Sequence, residues 1–294
     1  MINFRYHLVS LIAVFLALAV GVVLGAGPLQ NAVTERGKSE GSTSTETLER
    51  EASAARALAA AGEDLALAVG EQVLPGEGGD AKVALLLLPG VSASDVEVVE
   101  QMLHLSGAET LGPVKLTENF TSPAENTYRE TLASPVSAHL AQRPADPTAA
   151  AVLGAGLVEA LTLDSSQSAL IRDILTDEAT PLVEAGTFPE EAPSALVLIG
   201  ASAQDEESAP ATEQAWLGLA GALGASGLPA VAVGQASEPE DLISLLRSDG
   251  VDLTTVDQGG TSLGALNVAL ALISGTQGEY GTQTGATQVL APLP

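Results

Sequence analysis

The sequence predicts an α/β protein: a three-layer, mostly parallel-sheet domain behind an N-terminal transmembrane helix and a helical, coiled-coil-like stalk. Three observations lead there. One run near the N-terminus has no charge, the next stretch is rich in Ala, Leu and Glu, and the remainder alternates short apolar runs with helix-length segments. Strands separated by helices imply βαβ units and a parallel sheet.

The uncharged run is Leu8–Gly27 (LVSLIAVFLALAVGVVLGAG), interrupted only by Ser10. Twenty helical residues cover roughly 30 Å, the hydrocarbon thickness of a bilayer. Phe4 and Tyr6 stand at its start, where aromatic rings favour the headgroup region. A cleaved signal peptide has an apolar region of about 7–15 residues and a small-x-small cleavage site. Here the run is longer and Pro28 follows Gly25 and Gly27, which favours an anchor. Arg5 makes the leading segment positive, while beyond the helix Glu35 offsets Arg36 and Lys38. The positive-inside rule then keeps residues 1–7 in the cytoplasm and exports everything after Gly27. The expected location is the cell membrane, single-pass, with the C-terminal domain extracytoplasmic.

Residues 28–79 are expected to form a helical stalk and linker. Within them Glu46–Val73 is made of good helix formers. Leu48, Ala55, Leu58, Leu65 and Val69 fall near a 3.5-residue repeat, the signature of a coiled-coil seam. Glu46 and Arg50 are spaced to support each other on a helix surface. The Ala residues and Gly62 make the seam weak, and a homodimer through it is one arrangement it allows. Gly37–Thr45 (GKSEGSTST) is a poor helix former and is expected as a break or collar.

Leu74–Asp80 (LPGEGGD) is a linker that ends the helix, and the exported domain is expected over residues 80–294. Lys82–Leu88 is an apolar run closed by Pro89-Gly90, which predicts a strand buried on both faces. Asp95–Ser106 is helical, with Val96, Val99 and Leu103 on one side and Ser92 or Ser94 as cap. Thr148–Glu178 is mostly helical and reads as an insertion. Ser194–Ile199 repeats the buried strand, Thr212–Leu223 is a helix, and Ala230–Val233 is a further strand. Glu238–Arg247 is helical, Val251–Val256 extended, and Ser262–Ser274 a final helix.

The charge balance is 11 Lys+Arg against 37 Asp+Glu, a net −26. Such a surface repels nucleic acid and anionic headgroups. After Arg172 the only basic side chain is Arg247. The chain has no cysteine, so it has no disulfide, thiolate ligand or cysteine nucleophile.

Catalytic and cofactor signatures are missing. Gly260-Thr261-Ser262-Leu263-Gly264 fits G-x-S-x-G, but a hydrolase elbow needs a later acid and then a histidine. Only Glu279 follows, and the last histidine is His139, so a cap opening the final helix is expected instead. Gly154-Ala155-Gly156 lies inside a helical stretch and makes no dinucleotide fingerprint. The loops Pro89–Ser94 and Gly200–Ser202 sit where open α/β sheets bind ligands, without a signature of their own. His7, His104 and His139 share no ligand spacing, and Met102 and His104 would point to different helix faces. Asp205-Glu206-Glu207 and Glu190-Glu191 read as solvated loop charges. The expectation is no enzyme, no catalytic residue and no cofactor, with any metal ligands unknown.

The opening INFRYHLVSLIAVFLALAVGVVLGAG, Asp80–Gly90 (DAKVALLLLPG), Asp257–Ile273 and Gly278-Glu279-Tyr280-Gly281 resemble the mycobacterial copper transport protein B (MctB-like) family of actinobacterial envelope proteins. The resemblance runs through the chain in order. It implies an anchor, a stalk and an envelope-facing α/β domain, and a role in copper transport or homeostasis. The family also resembles envelope proteins tied to cell division and control of peptidoglycan hydrolases. The alternative function is therefore a non-catalytic scaffold at the cell wall. Either role implies an envelope protein partner. Copper itself is implied only by the resemblance.

Overall fold

A computed structural model describes residues 42–201 and 210–294 of the chain, with side chains from residue 50 onward. The expected transmembrane segment Leu8–Gly27, Met1, His7 and Asp205-Glu206-Glu207 lie outside the described residues. Among those described, no helix is long and apolar enough to cross a membrane. The chain divides into two units, Met1–Gly62 and Glu63–Pro294.

Helix α1 covers Ser42–Val73. Ser42–Thr45, expected to belong to a break, are helical, so the run of good helix formers propagates one turn further back than its own composition. From Ser53 to Gly62 every residue is exposed, and Leu58 is 38% exposed.

In the second unit the last turns of the helix are buried. Ala66 is 5% and Leu74 0% exposed, and Leu67, Val69 and Val73 pack against the same core. The stretch expected to be a linker is fastened rather than loose: Gly78 N–H donates to Ser106 C=O at 2.8 Å.

The elements that follow are β1 (Lys82–Leu87), α2 (Ala93–Ser106), β2 (Glu109–Lys115), α3 (Glu118–Thr121), a 3₁₀ turn (Pro123–Glu125), α4 (Asn126–His139), α5 (Ala149–Thr162), α6 (Ser166–Leu175), β3 (Ala195–Ile199), α7 (Pro210–Gly224), β4 (Ala230–Val233), α8 (Leu242–Asp249), β5 (Thr254–Val256), α9 (Ser262–Ser274) and β6 (Glu279–Tyr280). The sheet order is β2-β1-β3-β4-β5-β6 with every neighbouring pair parallel. Alternation sorts each strand onto two faces. Val83, Leu85, Val197 and Val233 join α2, α9 and the end of α1 on one side. Ala84, Leu86, Leu198 and Ala232 join α4, α5, α7 and α8 on the other. The sheet is therefore sandwiched between two helical layers.

Sequence expectation and structure differ at the edges. The edge strand β2 contains Gly112 and Pro113, and its register slips between Ala84 and Leu85 of β1. Proline is tolerated there because an edge strand leaves one side unpaired. Glu279-Tyr280 forms the opposite edge strand β6. Helix α8 starts after Asp241 rather than at Glu238, because Asp241 Oδ2 accepts from the Ser237 and Glu238 N–H groups and holds them in a turn.

Candidate functional site

In an open parallel sheet, ligands bind outside the carboxyl ends of the strands, where strand order reverses. Here the reversal lies between β1 and β3. After β1 the chain turns at Gly90 and enters α2 through a capping box. Ser92 Oγ accepts from Asp95 N–H at 3.2 Å, and Asp95 Oδ2 accepts from Ser92 N–H at 3.3 Å. Asp95 is buried, so the protein's own carboxylate takes the place at the helix N-terminus that an anionic ligand would use.

The next carboxyl ends are closed by packing. A side chain on Gly200, after β3, would lie 2.6 Å from Leu242 Cδ2, which fills that space from α8. A Cβ on Gly259, after β5, would lie 2.9 Å from Gly234 Cα after β4. The Gly259 N–H donates to Gly234 C=O at 2.7 Å, and Gln235 Nε2 donates to Gly259 C=O at 3.0 Å. Glycine at 259 is what lets these two backbones meet.

Beyond β5 lies a charged centre. Arg247 Nη1 and Asp257 Oδ2 meet at 3.0 Å, with side chains 4% and 0% exposed. Asp257 also accepts from the Thr282 and Gln283 N–H groups at 2.9 and 3.0 Å. Arg247 donates to Thr255 Oγ1 and to the Tyr280 and Thr284 carbonyls. Gln283 continues the network to Gln235, Ser237 and Ala236. The group fastens the segment after β6 across the carboxyl ends of β4 and β5.

The G-x-S-x-G residues form a helix cap, as expected. Thr261 is the N-cap of α9, its Oγ1 accepting from Gly264 N–H at 3.1 Å. Ser262 N–H donates to Glu63 Oε2 at 2.6 Å, which sets a carboxylate from α1 at the positive end of α9. Gly154 and Gly156 lie inside α5. A Cβ on Gly154 would come within 2.6 Å of Gly218 C=O on α7, so Gly154 serves the close crossing of α5 and α7.

The soft and imidazole ligands are dispersed. Met102 is 1% exposed and packs at Gly70 of α1, while His104, two residues on, is exposed. His139 Nδ1 lies 2.6 Å from Gln167 Oε1. Among the described residues no group of three or more His, Asp or Glu could hold a metal ion. Sequence reasoning missed the Arg247–Asp257 centre. Its only signal was the isolation of Arg247 as the last basic residue of an acidic chain.

The family described as "Copper transport outer membrane protein, MctB" matches residues 1–291. The chain belongs to the MctB family. Relatives named "Copper transporter MctB" in Mycobacterium bovis and Mycobacterium tuberculosis are 27% identical to it over 311 aligned positions. The alignments cover 98% of this chain and 99% of each relative. MctB membership agrees with the resemblance read from the N-terminal motif, and copper transport is what these names state of the relatives.

Proposed function

We propose that this chain serves copper transport as a single-pass, membrane-anchored envelope protein that acts through a partner and is not itself an enzyme. The family match over residues 1–291 carries the copper assignment. The positions of the ligands support an indirect role: His104 is exposed and Met102 is buried in the core. Cu(I) prefers thiolate and thioether donors, and the chain holds no Cys and two Met. The capping, packing and Arg247–Asp257 network at the carboxyl edge support a non-catalytic reading.

In this proposal Leu8–Gly27 anchors the chain in the cell membrane with its N-terminus in the cytoplasm. Residues 28–79 are the stalk and linker, and residues 80–294 lie on the far side. Exposed Leu58 and Leu65 are seven residues apart on α1, a spacing that supports a homodimer through this helix.

The test is the copper content of the native host lacking this chain, complemented by the full chain or by residues 28–294. Copper content should change on deletion and return with the full chain, but not with the version lacking the anchor. Normal copper content together with a defect in septum resolution would replace this proposal with the cell-wall scaffold.

A further inference from the structure

Residues 63–294 hold six basic side chains. Lys82 pairs with Glu191 and Lys115 with Glu184. Arg247 pairs with Asp257, and Arg172 donates to the Ala160 and Leu163 carbonyls. The other two, Arg129 and Arg143, make no carboxylate ion pair among the described residues, and both line one cavity of about 1100 Å³. That exceeds the 300–1,000 Å³ typical of small-molecule sites.

Arg129 is 5% exposed. Its Nη1 donates to the Asn119 and Ser122 carbonyls at 2.9 and 2.7 Å, and neither residue lines the cavity. Its Nη2 reaches only Asn126 Oδ1 at a long 3.5 Å, and Asn126 does line the cavity. No acceptor for Nε is present among the described residues. The Nε–Nη2 edge, the fork that grips a carboxylate through two parallel bonds, is thus the edge left without a close acceptor among the described residues. Burial pushes the guanidinium below its ordinary value, while Glu125 and Glu130 pull it back, so an anion on the fork would relieve a desolvated charge.

The wall is apolar and small, with Ala149, Ala150, Ala155, Val158 and Ala222. Two lining residues are tied together, Glu159 accepting through both oxygens from Ala141 N–H at 3.0 and 2.8 Å. Glu130, Asp146, Asp249 and Asp252 also line the cavity, which disfavours a doubly charged head such as phosphate. We propose that this cavity binds a peptide ending in a free carboxylate, with the carboxylate on Arg129 and Arg143 and small side chains along the alanine wall. This site goes beyond the copper role and does not depend on it.

Trp216 is the chain's single tryptophan and lies between Ala215 and Leu217, which both line the cavity. Its emission can therefore be followed in the full detergent-solubilised chain while N-acetyl trialanine, its C-terminal amide or inorganic phosphate is added. The free acid should give a saturable change. The amide, and the Arg143→Ala chain with the free acid, should each bind roughly tenfold or more weakly, the cost of a lost charged hydrogen bond. Arg129→Lys, which keeps the charge but not the fork, should weaken binding as well. If that variant does not fold by circular dichroism, exposed Arg143 carries the test. No saturable change, equal binding of the amide, an unaffected Arg143→Ala chain, or displacement of the peptide by equimolar phosphate would each overturn the proposal.

Discussion

Arg247 and Asp257, ten residues apart, meet at 3.0 Å in a centre almost closed to water, and their hydrogen bonds hold the chain from Tyr280 to Thr284. A buried pair gives little net stability over an apolar one, but removing one partner leaves an uncompensated charge. Asp257→Ala should therefore cost about 3–5 kcal/mol, measured by denaturant unfolding. The double variant Arg247→Met, Asp257→Leu should cost less than Asp257→Ala alone. A double variant that loses the sum of both single losses would show that the two groups act independently.

The N-terminal limit of the stable unit is the second prediction. The sequence predicts a domain that begins at Asp80, yet Ala66 and Leu74 lie in its core and Glu63 caps α9. Burying one Leu contributes about 1.5–3 kcal/mol, so residues 63–294 should unfold at clearly higher denaturant concentration than residues 80–294. Glu63→Ala alone should cost about 1 kcal/mol. Equal midpoints for the two fragments would mean that the end of α1 adds nothing.

The crossing of α5 and α7 gives the third. Gly154 faces the backbone of Gly218, which cannot move aside as a flexible side chain can. Gly154→Ala should destabilise by about 1–3 kcal/mol through overpacking, although Ala is the better helix former. Calorimetry should show a lower Tm, and an unchanged or higher one would refute the close contact.

Alkaline stability gives the fourth. Burial raises Tyr280 above its ordinary 10.0, and its hydroxyl donates to Thr276 C=O at 3.2 Å. The folded state thus favours the neutral phenol. The resulting stability is present below the unfolded value and is lost as pH rises through the raised folded one. Unfolding free energy should fall above about pH 10, and Tyr280→Phe should flatten that fall while lowering stability slightly at neutral pH. An unchanged slope would assign the fall to other groups.

What the sequence made legible follows from burial. β1, β3 and β4 are short runs with nearly every side chain inside, so continuous apolarity exposes them directly. β2 and β6 are edges: the first mixes Glu109, Gly112 and Lys115 with Leu111 and Val114, and the second is two residues long. Neither offers a pattern of sufficient length. Helix α4 was hidden by Pro135 in its interior and by having only Arg129 and Val136 buried. The capping role of Thr261 was legible because a cap is local in sequence. The Arg247–Asp257 centre and the Arg129–Arg143 cavity join residues from separate elements, and their partners are largely backbone carbonyls and N–H groups, which no residue pattern encodes.

Whether this MctB-family chain serves copper transport without a copper site of its own can be read from competition titration of the full chain against a Cu(I) chelator. The residues from Glu63 onward hold one Met and two His. Met102 is enclosed at Gly70 while His104 is exposed, and carboxylate oxygens suit hard cations better than Cu(I). Binding should be weak, non-stoichiometric and the same in the wild-type, His104→Ala and Met102→Leu chains. A tight one-to-one site that disappears in either variant, with the fold intact, would contradict it.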